Sequence, residues 1–236
     1  KQEKKLICFD LDGTLTQHKT QLTAANRAVL DTLAKRYEII MAGAGNCKRI
    51  YKQMGEYPIT ILGNYGMAES RIVDGKFQIV REDKAQVDKK FFEKSCNYLR
   101  KKYGYTDFSG ESLEYHESGM VTYGLLGTKA GKEAKLTFDP DKIKRRAMFP
   151  EVKEIFKDYS VFIGGTTSFD ITPKQYNKLD AVLRYAAEHG YSFDQILFVG
   201  DDFADGGNDS QIRLGGMDYI RIDDYTRLPE KLEFLF

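Results

Sequence analysis

Residues 6–16 read Leu6-Ile7-Cys8-Phe9-Asp10-Leu11-Asp12-Gly13-Thr14-Leu15-Thr16. Four apolar side chains in a row, without polar alternation, read as a strand buried on both faces. The residues that follow then sit at the carboxyl end of that strand, where open α/β sheets bind their ligands. Gly13 marks the point at which the chain leaves strand geometry, so that Asp10 and Asp12 reach one site. Two carboxylates this close repel and raise a pKa unless a cation lies between them. Mg²⁺ suits such a place, since it takes oxygen ligands, keeps waters and favours one or two carboxylates together with a phosphate. The pattern points to phosphoryl chemistry with an aspartyl nucleophile.

Outward from this stretch, the parallel pattern repeats. Thr23 caps an expected helix to residue 36, with Val29, Leu30 and Leu33 on its apolar face. Residues 37–42 read as a second strand ending in Gly43-Ala44-Gly45-Asn46. A helix over 47–54 and a third strand over 59–62 follow. Strand and helix in alternation are the mark of a doubly wound parallel sheet. Asp74-Gly75 between two apolar runs predicts a hairpin.

Residues 84–103 then read as one long amphipathic helix. Short alternating strands near 113–126 and 161–171, with a charged helical region over 129–158 between them, read as an α+β unit. The parallel pattern resumes with a helix over 176–189, an apolar strand over 195–199 ending in Gly200-Asp201, and a last strand over 219–222. The expected architecture is a Rossmann-like doubly wound core over 1–81 and 174–236, with an α+β cap inserted at 82–173.

Composition narrows the function classes. Thirty-six Lys and Arg against 35 Asp and Glu leave no bulk charge that argues for nucleic acid or a membrane surface. The run Lys142-Ile143-Lys144-Arg145-Arg146 reads as a solvated helix face. The cysteines, Cys8, Cys47 and Cys96, make no CxxC pair and no metal spacing. No apolar run reaches membrane-spanning length and no signal-peptide core opens the chain, so a reduced, cytoplasmic enzyme is expected.

With strand, Asp-x-Asp-Gly-Thr and the later Gly200-Asp201 in place, the chain resembles the haloacid dehalogenase superfamily. The resemblance implies Asp10 as nucleophile and Asp12 as general acid/base. It implies a Mg²⁺ ion held by the Asp10 carboxylate, the backbone carbonyl of Asp12 and Asp201. Asn208 and Asp209 would orient the metal ligands or their waters, and Lys178 would offset the charge of nucleophile and phosphate.

A closer resemblance, to eukaryotic-type phosphomannomutases, rests on three groups of residues. The first is Gly164-Gly165-Thr166-Thr167-Ser168-Phe169-Asp170 followed by Asn177-Lys178. The second is Gly206-Gly207-Asn208-Asp209. The third is Glu114-Tyr115 with Gly119-Met120 and Leu126-Gly127. It implies a type IIB cap, with Ser168 and Asp170 facing a sugar and a possible homodimer through the cap.

The departures bear on function. Where that family carries phosphate-holding arginines, the matching positions have Lys19, His116 or Glu117, Thr128 and Lys135. The second-motif hydroxyl should fall at Ala44 or Gly45, and neither has one. Asn46 or the backbone N–H groups near Gly45 are expected to serve instead. Lysine is a point charge on a flexible stem and lacks the bidentate grip of arginine. The sequence therefore favours a phosphohydrolase acting on a sugar phosphate or similar small phosphomonoester. The alternatives are a phosphomannomutase and a catalytically weak sugar-phosphate binder.

Overall fold

The computed structural model describes residues 2–236. In chain order the elements are β1 (Leu6–Phe9), α1 (Ala24–Leu33), β2 (Glu38–Ala42), α2 (Cys47–Gln53), β3 (Thr60–Gly63), β4 (Ala68–Val73) and β5 (Lys76–Glu82). Next come α3 (Lys89–Tyr103), β6 (Leu113–Tyr115), β7 (Val121–Gly124), α4 (Lys132–Phe138), α5 (Ile143–Ile155), β8 (Tyr159–Gly164) and β9 (Ser168–Pro173). The chain closes with α6 (Lys178–Glu188), β10 (Ile196–Gly200), α7 (Ser210–Leu214), β11 (Tyr219–Arg221) and α8 (Leu228–Leu232). It divides into two compact units, one of residues 1–83, 177–205 and 209–236, the other of 84–176 and 206–208.

The first unit is built on a seven-stranded sheet in the order β11-β10-β1-β2-β3-β4-β5. The five strands from β11 to β3 run parallel, and the β4–β5 hairpin adds an antiparallel edge. The apolar run of β1 is buried on both faces, as its composition requires. Ile7 and Phe9 join a core with α1, α2 and α8, while Leu6 and Cys8 join a separate core with α6 and α7. Each such side chain contributes about 1.5–3 kcal/mol by leaving water. Because β1 is flanked by β10 and β2, three strand ends open at one edge beside one another. Phe9 pairs with Val199 on one side and Met41 on the other, so Asp10, Asp201 and the turn at 43–46 all follow from that register.

The second unit is an antiparallel sheet, β6-β7-β9-β8, with α3 and α5 against one face. Phe92, Leu99, Tyr123, Val152, Phe156 and Phe169 form its core. Arg145, expected on a solvated helix face, is instead buried on α5, where it donates to Asp139 at 2.8 Å and to the Gly164 carbonyl at 2.7 Å and ties the helix to the β8–β9 turn. The helix expected from residue 84 begins only at Lys89. Asp88 caps it by accepting the Phe91 N–H at 3.1 Å, and the Ala85 N–H is already bound to the Ser118 carbonyl at 2.9 Å. Likewise α1 ends at Leu33, three residues before the expected stop. No helix among the described residues is long and apolar enough to cross a membrane.

Candidate active site and metal centre

The loop after β1 is folded by its own backbone. Leu15 N–H reaches the Leu11 carbonyl at 2.9 Å and Gly13 N–H reaches the Thr16 carbonyl at 2.8 Å. Gly13 has φ +84°, the left-handed region, and a Cβ there would also run into the carboxylate of Asp201. Backbone strain and lack of room thus both require glycine at this position. The loop leaves Asp10 buried at 5% exposure, whereas the side chain of Asp12 is 27% exposed.

Asp10 is held by a dense set of partners. Thr14 Oγ1 donates to its Oδ2 at 3.0 Å, and Lys178 Nζ donates to its Oδ1 at 2.7 Å. Lys178 is the first residue of α6, which Asn177 caps by accepting the Asp180 N–H at 2.9 Å. The same ammonium donates to Asp209 at 2.8 Å, and the other Asp209 oxygen accepts the N–H groups of Asp201 and Asp202 at 3.2 and 3.1 Å. Asp209 therefore fixes the lysine and the turn that carries Asp201 together.

Burial alone would raise the Asp10 carboxyl, but the Lys178 charge and hydrogen bonds from Asp201, Lys178 and Thr14 outweigh it and leave the group below its ordinary value. Burial disfavours the Lys178 ammonium, and its two carboxylate partners more than offset this, so its pKa is raised. Asp209 is pushed up to about 6, by burial first and with a contribution from Asp10, despite the opposing Lys178 charge. Asp201 is pushed up to about 9, by burial and then by the charge of Asp10 and the hydrogen bond shared with it.

Three carboxylates facing one ammonium mark a place short of positive charge. Oxygens of Asp10, Asp201 and Asp209 lie within 4.8 Å of one another. A donor set of hard carboxylate oxygens, with the Asp201 carboxyl pushed up by burial and by the charge of Asp10, fits a small divalent cation.

Asp12 is held differently. Its Oδ1 accepts the side-chain amide of Gln53 at 2.6 Å and the backbone N–H of Lys19 at 3.0 Å, while Arg49 Nη2 stands 3.9 Å from Oδ2. Gln53 and Arg49 lie four residues apart on α2, and hence on one face of that helix. Asn46 caps α2, its side-chain oxygen accepting the Arg49 N–H at 2.8 Å. A Cβ at Gly45 would lie 2.9 Å from Arg49 Nε, so the guanidinium covers the turn at the end of β2.

The structure thus brings together Asp10, Asp12, Lys178, Asp201 and Asp209 of the sequence-derived residues. Lys19 lies nearby, and it is its backbone that meets Asp12. Ser168 and Asp170 lie on β9 in the second unit, where the Ser168 hydroxyl donates to the Gly164 carbonyl and Asp170 accepts the Thr122 hydroxyl at 3.3 Å. Thr122 also bonds His116 Nε2 at 2.9 Å. Asn208, on the segment that groups with the second unit, has its amide oxygen buried without a hydrogen-bond partner among the described residues. Sequence reasoning missed the roles of Thr14, Gln53 and Arg49. The four-residue spacing of the last two was the available signal.

A family model for haloacid dehalogenase-like hydrolases matches residues 7–207. This chain belongs to that family. The family match and the relatives together support a phosphoryl-transfer enzyme. The phosphomannomutase of Encephalitozoon cuniculi is 25% identical over 223 residues, covering 90% of this chain and 85% of the relative. Phosphomannomutase 2 of Dictyostelium discoideum is 28% identical over 223 residues, covering 89% and 88%. Among solved structures, an N-terminally truncated IMP-nucleotidase of Plasmodium falciparum matches with TM-score 0.70 and 16% identity, over 99% of this chain and 70% of that one. A haloacid dehalogenase-like hydrolase from Bacteroides thetaiotaomicron matches with TM-score 0.58 and 15% identity, over 99% and 100%. These two likenesses are of fold.

Proposed function

We propose that the protein is a Mg²⁺-dependent phosphohydrolase that cleaves a sugar phosphate or similar small phosphomonoester through an aspartyl-phosphate. The observation that carries this reading is the buried Asp10 carboxylate, kept ionised by Lys178 at 2.7 Å and Thr14 at 3.0 Å, with a second carboxylate, Asp12, held separately two residues on.

Mg²⁺ held by Asp10, Asp201 and the carbonyl of Asp12 would supply positive charge opposite the phosphoryl oxygens. A carboxylate oxygen of Asp10 attacks phosphorus as the bond to the leaving oxygen breaks, and Asp12 delivers a proton to that oxygen. Asp12 then takes a proton from water as the water oxygen attacks phosphorus. The bond between phosphorus and Asp10 breaks, releasing inorganic phosphate and restoring the free carboxylate. Lys178 offsets negative charge on the nucleophile throughout. Asp209 and Gln53 act by orientation, the first holding Lys178 and the Asp201 turn, the second holding Asp12.

A second reading, mutase activity between mannose 6-phosphate and mannose 1-phosphate, is favoured by the names of the relatives and their near full-length match. Here the acceptor in the second step would be a sugar hydroxyl. We favour hydrolysis because lysines, a threonine and a histidine or glutamate stand where a firm hold on a second phosphate calls for arginine.

Phosphate release from a panel of sugar phosphates in Mg²⁺, with and without mannose 1,6-bisphosphate, decides between the readings. Release in step with bisphosphate loss, with little isomerisation, is expected. Isomerisation about tenfold faster than release, a preference of roughly 1.4 kcal/mol for sugar over water, would reverse the order. No release and no transfer would reject both.

A further inference from the structure

The guanidinium of Arg49 stands at the rim of the site beside Asp12. It is half exposed, it reaches Asp12 only at the 3.9 Å of an ion pair, and among the described residues it makes no side-chain hydrogen bond. Asp12 does not depend on it for orientation, since Gln53 and the Lys19 N–H already bind Oδ1. Five N–H donors are therefore available at the rim of the site.

The rest of the site cannot easily supply them. Lys178 is fully buried and its ammonium already serves Asp10 and Asp209. The turn at Gly43-Ala44-Gly45 carries no hydroxyl, and the side-chain oxygen of Asn46 is engaged as the cap of α2. Asp10, Asp12, Asp201 and Asp209 outnumber the cations, so a dianionic phosphomonoester arriving here needs more positive charge than Lys178 and one divalent ion provide. Arg49 folds back from the first turn of α2 onto Gly45, where a Cβ would stand 2.9 Å from Nε and 3.0 Å from Cζ and Nη2. The glycine keeps that space open.

We propose that Arg49 is a substrate-binding residue whose guanidinium fork takes two oxygens of the transferring phosphoryl group, and that Gly45 exists to seat it. A planar fork matches phosphate oxygens bidentately, which a lysine cannot do. This inference rests on the phosphoryl-transfer reading of the same site and adds the group that grips the anion.

The test uses the full chain with Mg²⁺ and inorganic phosphate, measured both by calorimetric binding and as a competitive inhibitor of p-nitrophenyl phosphate hydrolysis. Arg49→Ala should weaken phosphate binding and raise KM at least about tenfold, with little change in Tm. Arg49→Lys should recover part of the loss. Gly45→Ala keeps the charge but pushes the guanidinium aside. The collision is with the far end of a flexible side chain, so this variant should fold and should lose several-fold in phosphate affinity. Unchanged phosphate binding in a folded Arg49→Ala protein overturns the proposal. So does a shifted pH profile of kcat with unchanged phosphate binding, which would mean Arg49 acts only through Asp12. If the wild-type protein binds no phosphate, the proposal fails as well. If it binds phosphate but hydrolyses no ester, the hydrolase reading falls while the binding series still judges Arg49.

Discussion

Asp10 and Asp12 stand two residues apart yet are built into opposite kinds of surroundings. Asp10 is buried, and its partners are an ammonium with no exposure and a hydroxyl from its own loop. Asp12 is a quarter exposed and leans on neutral amides, with one cation at arm's length. A nucleophile gains from being ionised, dry and fixed. A group that must give a proton and take one back gains from contact with solvent and from partners that hold its position. Ion pairing therefore governs one carboxylate and hydrogen-bonded orientation the other. Substitutions around the first should damage stability and catalysis together, and those around the second mainly catalysis.

The hardest test of that contrast is Lys178→Met. It leaves Asp10 and Asp209 buried and unpaired, a loss expected to cost about 3–5 kcal/mol, while turnover falls by about a thousandfold or more. Asp10→Asn should abolish turnover to a similar degree and cost far less stability, because Lys178 keeps Asp209. Denaturant titration of both variants decides the matter. Equal stability losses, or none in Lys178→Met, would break the comparison.

How much of this was legible in the sequence follows the same division. Asp10 and Asp201 were readable because strand pattern and chain order dictate them, whereas Lys178 opens a helix and was legible only through the resemblance. An apolar run buried on both faces has its next residue at the sheet edge, and parallel neighbours bring their ends together. Gln53 and Arg49 were not read as site residues, since an amide and a cation on a short helix look like a solvated face until the helix is docked against the β1 loop. The start of α3 was misplaced for a similar reason. Lys84 to Val87 have helical composition, but the Ala85 N–H is committed to Ser118, thirty-odd residues on, and local periodicity carries no trace of that bond.

On the Asp12 side, Asp12→Ala should cost about a hundredfold or more toward alkyl phosphates and less toward an aryl phosphate in a burst experiment, with a denaturation midpoint near wild type. A good leaving group needs little proton donation. Equal loss of the burst for both substrates would remove Asp12 as the acid. A large stability loss would show that it is as deeply tied as Asp10.

The metal sharpens the contrast through pH. In the metal-free fold Asp201 keeps its proton up to about pH 9, against 3.8 for an ordinary aspartate, and Asp209 keeps its own up to about 6. The folded chain then binds more protons than the unfolded chain across that window, so these groups make stability fall as pH rises through it. Asp10, shifted down, acts the other way. Its contribution is present above the ordinary carboxyl value and is lost in stronger acid. In chelator, Tm should drift downward between about pH 5 and pH 9. The rise in Tm on adding Mg²⁺ should be several degrees and larger at pH 8 than at pH 5, where protons compete for Asp201. An equal Mg²⁺ effect at both pH values would place the ion away from these carboxylates.

The smallest expected effect lies at Asn46, which the sequence offered as a phosphate ligand and which the structure engages as the cap of α2. Asn46→Ala removes the acceptor of the Arg49 N–H and should cost about 1 kcal/mol. Asn46→Ser restores a capping oxygen on a shorter side chain, so it should recover most of that stability and leave KM within about threefold of wild type. The two substitutions separate capping from binding because serine retains the first and shortens the reach needed for the second. If Asn46→Ser proved as stable as wild type yet lost phosphate affinity as heavily as Arg49→Ala, the amide itself would be touching the substrate. The rim of the site would then depend on a neutral donor where a guanidinium is expected, and the division between a buried, ion-paired carboxylate and a more exposed one held by amides would extend to the binding of the phosphate as well.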